Sequence, residues 1–154
     1  MLDGISYQEE SFKNFIVEFD ALLKPHMAEI NVSEKLGFKF KPDYDKYVKL
    51  QEVGILVVVT CRHHEKLIGY TVFGITPHIR YGDCNLAKED LYYIVPEYRG
   101  KGIGKQLFIE TEKVLKDKGA NQIIFTTKTY SDNSHIFEQL GYEFFEKSFT
   151  KRIL

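Results

Sequence analysis

Apolar residues Phe12, Phe15, Ile16, Phe19, Leu22 and Leu23 recur three and four apart, which predicts an amphipathic helix over residues 8–23. Pro25 is expected to interrupt or restart that helix, because proline suits a first turn, and "HMAEI" then forms a short second helix. Residues 31–42 read as a loop. Asp43 caps a third helix that runs through Val53 and stops at Gly54. The period then changes. "ILVVVTC" is short and β-branched and predicts a strand; "RHHEK" is a turn, and "LIGYTVFGIT" is the hairpin partner. After the loop "PHIRYGDCN", residues 86–95 form a third strand that ends at Pro96. Helical spacing returns at Ile103, Leu107, Phe108, Thr111, Val114 and Leu115, with Lys116 and Lys118 in the last turn and Gly119 as the stop. "QIIFTT" is a buried strand. Ser131 or Asp132 caps a short helix carrying Ile136, Phe137 and Leu140, ended by Gly141, and "YEFFEKSFTKRIL" supplies one or two closing strands.

Hairpin strands followed by a crossover helix imply a mixed sheet in an α+β domain. With no internal repeat or linker, residues 1–154 read as a single domain, long enough to bury one core. A net charge of −1 offers no global attraction to nucleic acid or an anionic membrane. The N-terminus has neither a basic region nor an apolar one, and the longest apolar run, "GILVVVT", is far short of a membrane span. Cys61 and Cys84 form no CxxC pair and read as reduced thiols of a cytoplasmic protein, and no metal site is expected.

The stretch "YIVPEYRGKGIGKQLF" carries the chemistry. Gly100, Gly102 and Gly104 sit between a strand and a helix, flanked by Arg99, Lys101 and Lys105. Bare backbone lets N–H groups converge on an oxyanion, and the helix N-terminus adds partial positive charge. The physical reading is a phosphate or pyrophosphate cradle. A Walker A loop fails, because Gln106 follows Gly104-Lys105 and position 99 is not glycine. A dinucleotide fingerprint fails on spacing, since the third glycine comes one residue early and the preceding strands form a hairpin.

Arg99-x-x-Gly102-x-Gly104 resembles the R/Q-x-x-G-x-G/A signature of the GNAT superfamily of N-acetyltransferases, and "FEQLGYEF" resembles its second marker. The resemblance covers roughly residues 55–150. In "HMAEI", "YVKLQEVGIL" and "TKRIL" the chain also resembles small acetyltransferases of tailed-phage genomes. The resemblance implies a mixed, mostly antiparallel sheet of six to seven strands flanked by helices. It implies acetyl-CoA as co-substrate, with its pyrophosphate on the amides from Arg99 through Gly100, Lys101, Gly102 and Ile103 to Gly104 and Lys105. It implies pantetheine pairing with a splayed strand at Ile94 and Val95, and a CoA contact from Asn133, whose alternative is a helix cap.

The implied reaction is direct acetyl transfer to an amine of a small molecule or a protein, with a base to take the ammonium proton. Asp90 and Glu89 lie on the strand before the loop. Alternation lets only one face the cleft, and Asp90 is favoured; His78 is the alternative. The family's usual acid position holds Phe137, so Tyr130, Tyr92 or water must substitute. That departure keeps a second reading open, a CoA-binding module without catalysis. Cys84 reads as a bland thiol, and His26 with Glu29 either line the acceptor cleft or form an exposed pair one helical turn apart. A homodimer is left open.

Overall fold

The computed structural model of the chain describes residues 2–30 and 32–154. One sheet holds β1 (Ile5–Glu9), β2 (Leu56–His63), β3 (Lys66–Pro77), β4 (Asn85–Ile94) and β5 (Gln122–Ile124), in that spatial order. The first four pair antiparallel, and β4 pairs parallel with β5 across the crossover helix α4 (Ile103–Asp117). Helices α1 (Ile16–Ile30), α2 (Val32–Lys35) and α3 (Tyr44–Glu52) precede β2, and α5 (Ser134–Gln139) follows β5.

The run in β2 is apolar throughout because both faces of the sheet are covered. Val58 packs with Phe12, Phe19, Leu23, Tyr70 and Val72 under α1 and α3, whereas Val59 and Cys61 pack with Ile103 and Leu107 of α4. Phe19, Leu23 and His26 form the buried stripe of α1 at helical spacing, and Phe15 just before the helix extends it. Pro25 does not interrupt this helix, contrary to expectation. Its missing N–H leaves the Ala21 carbonyl without a helical partner, but Ala21 is exposed and water can satisfy it. Burial of the stripe offsets the cost.

Three further expectations are corrected. Among the described residues the sheet has five strands, not six to seven, because residues 142–154 form none. Phe144 and Phe145 are adjacent, which breaks the alternation a half-buried strand needs, and both remain exposed. Residues 8–9 belong to β1, not to a helix; a 3-10 turn at Phe12–Asn14 separates that strand from α1. Within residues 31–42, Val32–Lys35 form a helical turn. The Asp43 cap is as expected, its side chain accepting from the Lys46 N–H at 3.0 Å.

Two irregularities shape the functional end of the sheet. The register between β3 and β4 shifts, so that Val72 opposes Leu91 while Phe73 opposes Glu89. Asp90 is the extra residue of a β-bulge. On its other edge β4 pairs with β5 only at Leu86–Lys88, and the rest of β4 has no strand beside it there. Gly69 lets β3 close on the end of β4: a Cβ there would lie 2.6 Å from the Tyr93 carbonyl oxygen. No described helix is long and apolar enough to cross a membrane.

Candidate active site

The open edge of β4, the glycine loop and residues 126–136 enclose a cleft of about 540 Å³. Its lining includes Glu89, Asp90, Tyr92, Ile94, Arg99, Gly100, Gly102, Gly104, Lys105 and Asn133. Most of the side chains singled out along the sequence therefore meet in one place. His78 is not among them. It lies in the β3–β4 connection, where its Nδ1 accepts from the Arg80 N–H at 3.1 Å and its ring packs on Tyr81.

The loop end is rich in donors. Gly102 is the N-cap of α4 and has no side chain to cap it, so the first N–H groups of the helix have no intrahelical acceptor. Gln106 N–H makes the first such bond, to the Gly102 carbonyl. Gly100 and Gly102 adopt φ of +73° and +78°, which explains glycine at both. Gly104 is different. It has no positive φ, and its added Cβ would meet only Ile94 Cγ1, at an ordinary 3.7 Å. A Cβ at Gly100 or Gly102 would meet nothing within 4 Å. Side chains at these positions would occupy the cleft, and nothing in the protein itself requires Gly104 to be bare.

The flanking cations divide their tasks. Arg99 is a clip, not a free charge: its Nε donates to the Ile94 carbonyl at 2.7 Å, its Nη2 donates to both Glu29 oxygens at 2.9 and 3.0 Å, and its guanidinium lies over Tyr93. Lys101 turns away and donates to the Glu97 carbonyl. Lys105 faces the cleft, donating to Gln139 Oε1 at 3.2 Å. Ile103 and Val95 pack in the core, so any part they take in binding falls to backbone. The Val95 N–H donates to the Ile68 carbonyl of β3. Backbone groups alternate along a strand, so Ile94 and Tyr92 address the opposite, open edge.

The bulge overturns the expectation that only one of the two carboxylates reaches the cleft, since both line it. They differ in environment. Glu89 is buried, and its Oε2 accepts from both Thr126 N–H, at 3.2 Å, and Thr126 Oγ1–H. Burial pushes its carboxyl up, against those two bonds. Asp90 keeps contact with solvent, but the water it meets is that of a concave wall, and burial lifts its carboxyl as well, opposed by Lys128. Asp90 makes no hydrogen bond or ion pair to other described residues. Asn133 stands at the N-cap position of α5 without capping it; its Nδ2 donates to the Tyr92 hydroxyl at 3.2 Å. Phe137 is buried among Phe108, Phe125 and Tyr92, behind the cleft wall. Tyr130 is exposed and lies outside the lining, beneath Lys35.

The model of the acetyltransferase (GNAT) family matches residues 23–142, most of the chain. The chain belongs to the GNAT family. An uncharacterized N-acetyltransferase of Chlorobaculum tepidum is 36% identical over 56 residues, covering 36% of this chain and 34% of that protein. The match thus spans about a third of that relative's length. Solved structures share the fold. An aminoglycoside acetyltransferase from an uncultured soil metagenomic sample, in complex with sisomicin, superposes with a TM-score of 0.77 at 17% identity, covering 99% of this chain and 98% of that one. A ribosomal-protein-alanine N-acetyltransferase from Brucella melitensis gives 0.74 at 17% identity, covering 97% and 99%. A Clostridium acetobutylicum acetyltransferase solved with acetyl-CoA gives 0.69 at 13% identity, covering 96% of each.

Within this GNAT domain, several cleft residues escaped the motif reading. Thr126, Lys128, Ser131 and His135 come from the connection after β5 and the start of α5, where no sequence period marks them. His26 and Glu29 do line the cleft; His26 comes from the buried stripe of α1, and Glu29, exposed one turn on, is held by Arg99. The adjacent His63 and His64 rings stack at 4.6 Å, because His64 takes φ of +53°, and no metal-holding cluster occurs among the described residues.

Proposed function

We propose that this chain moves an acetyl group from acetyl-CoA directly to an amine. The observation that carries the reading is the bare, donor-rich loop at one end of the cleft, where Gly104 is free of every backbone and packing demand for glycine. The N–H groups at the start of α4 and the Lys105 ammonium hold the pyrophosphate. The open edge of β4, at Tyr92 and the Ile94 N–H, pairs with the pantetheine amides, and Asn133, beside the Tyr92 hydroxyl, adds a contact. When bound, acetyl-CoA supplies an activated acyl carbonyl, and an amide of that open edge steadies the negative charge developing on its oxygen.

Asp90 takes the ammonium proton of the acceptor, directly or through water, because its carboxylate is unoccupied by other described groups while Glu89 is held by Thr126. The amine nitrogen then bonds to the carbonyl carbon as the carbon–sulfur bond breaks, and the second N–H proton of the new amide nitrogen passes to solvent. Tyr92 gives its hydroxyl proton to the departing thiolate and regains one from water. Its hydroxyl already accepts from Asn133, leaving its own hydrogen to give. This puts a hydroxyl on the cleft although Phe137 supplies none. Reduced Cys61 and Cys84 suit the cytoplasm, where we place the reaction. Calorimetry with CoA and with ATP tests the binding half: CoA should bind with clear preference, and an ATP preference would overturn the assignment of the loop.

A further inference from the structure

His26 lines the cleft although it is only 3% exposed. Its ring is fixed on two sides. It stacks on Tyr93 with centroids 4.6 Å apart, and its Nδ1 lies 2.7 Å from the Tyr70 hydroxyl oxygen. Tyr70 is fully buried, and Nδ1 is the one hydrogen-bond partner its hydroxyl has among the described residues. A buried hydroxyl donates its hydrogen to an acceptor within reach, and here that acceptor is Nδ1. The neutral imidazole therefore carries its proton on Nε2.

Nε2 makes no hydrogen bond to the described residues. Yet no sealed side-chain nitrogen or oxygen among them lacks a partner, so Nε2 is open to the space that His26 lines. Burial, and then the charges of Arg99 and Lys128, hold the imidazole pKa down at about 4. Arg99 is paired with Glu29, the rings of Tyr70 and Tyr93 pack on the imidazole, and Glu89, Asp90, Lys105, Lys128 and His135 share the cleft with it. The donor thus keeps its single proton throughout the neutral range. His26, Asp90 and Lys128 line the same cleft.

We propose that His26 is a specificity-determining residue whose Nε2–H donates to an uncharged oxygen of the acceptor. A fixed neutral donor cannot accept from a second ammonium; with Glu29 paired to Arg99, and Lys105 given to the pyrophosphate, the carboxylates of Glu89 and Asp90 outnumber Lys128 and disfavour an anionic acceptor. What remains is an amine that also carries a neutral oxygen, as in an amino alcohol or an amino amide. This rests on the transferase reading, with Asp90 receiving the amine.

The test is nitrogen NMR of histidine-labelled, CoA-saturated protein at pH 7, with glucosamine, glycinamide or cyclohexylamine added at equal concentration. The expected result is an unprotonated Nδ1, and a His26 Nε2–H signal that shifts with an oxygen-bearing probe and not with cyclohexylamine. A response to glucosamine alone or glycinamide alone names the amino-alcohol or amide source. In His26→Phe, which keeps a ring on Tyr93, kcat/KM for the responding probe relative to cyclohexylamine should fall about tenfold, through KM. A proton on Nδ1, equal shifts with all three probes, or no shift with any would overturn the proposal, and none of these readings depends on the variant folding. Selective shifts without acetyl transfer would fault the transferase reading and leave the donor standing; transfer without selective shifts would do the reverse.

Discussion

Gly104→Asp separates what the loop does for folding from what it does for binding. The position has ordinary backbone angles and room for a Cβ, so no strain follows. Replacing glycine in the first turn of a helix recovers up to about 0.5–1 kcal/mol of backbone entropy. A carboxylate near the helix N-terminus adds roughly 0.3–1 kcal/mol. The variant should therefore melt at or slightly above the wild-type temperature. Binding moves the other way. A carboxylate roughly 5 Å from a phosphate charge costs about 3 kcal/mol at an effective dielectric of about 20, which weakens CoA at least a hundredfold. Gly102→Asp is a poorer probe, because its φ of +78° adds a left-handed strain of about 1–2 kcal/mol and mixes instability with lost affinity. Thermal unfolding and calorimetry with CoA, on the same preparation, give both numbers. A folded Gly104→Asp protein that binds CoA within threefold of wild type would show that the loop is only a turn.

Asp90→Asn should lower kcat roughly 10²- to 10⁴-fold near neutral pH, with the loss shrinking as the acceptor amine deprotonates by itself at high pH. A variant profile parallel to wild type would remove Asp90 as base. Glu89 has a raised carboxyl in the fold, so its charge costs stability; the cost is absent below the unfolded value of about 4.3 and grows as pH rises through the folded one. Glu89→Gln should accordingly melt higher than wild type at pH 7 and lose that advantage near pH 4, and a pH-independent difference would contradict the assigned cause. Tyr92→Phe should slow turnover about tenfold at pH 7 and recover above the thiol pKa of roughly 8.5, whereas a loss constant with pH would mean that Tyr92 only shapes the cleft.

Where local pattern decided structure, it was legible. The capped α3, the β2–β3 hairpin and the start of α4 follow from spacing and from Asp43 and Gly102. β1 was hidden because Ile5 and Tyr7 are too few alternating residues to mark a strand. The cradle residues were readable as a motif, since glycines and cations are contiguous there. What they do was not. Arg99 is neutralised by Glu29, 70 positions away, and Asp90 joins Glu89 in the cleft through a register shift set by β3. Simple alternation cannot reveal an inserted residue, and helical spacing cannot tell which buried face of α1 opens onto ligand. Tyr92 was weighed beside Tyr130, and only the fold separates one at the cleft from one at the surface.

The central claim is acetyl transfer from CoA to an amine within this cleft. Release of CoA thiol from acetyl-CoA, followed across a panel of amino sugars, amino amides and peptide N-termini with the acetylated product weighed by mass spectrometry, tests it most directly. The account predicts thiol release that depends on the acceptor and matches N-acetyl product one for one. Tight CoA binding with no acceptor-dependent thiol release from any of these amines would contradict it.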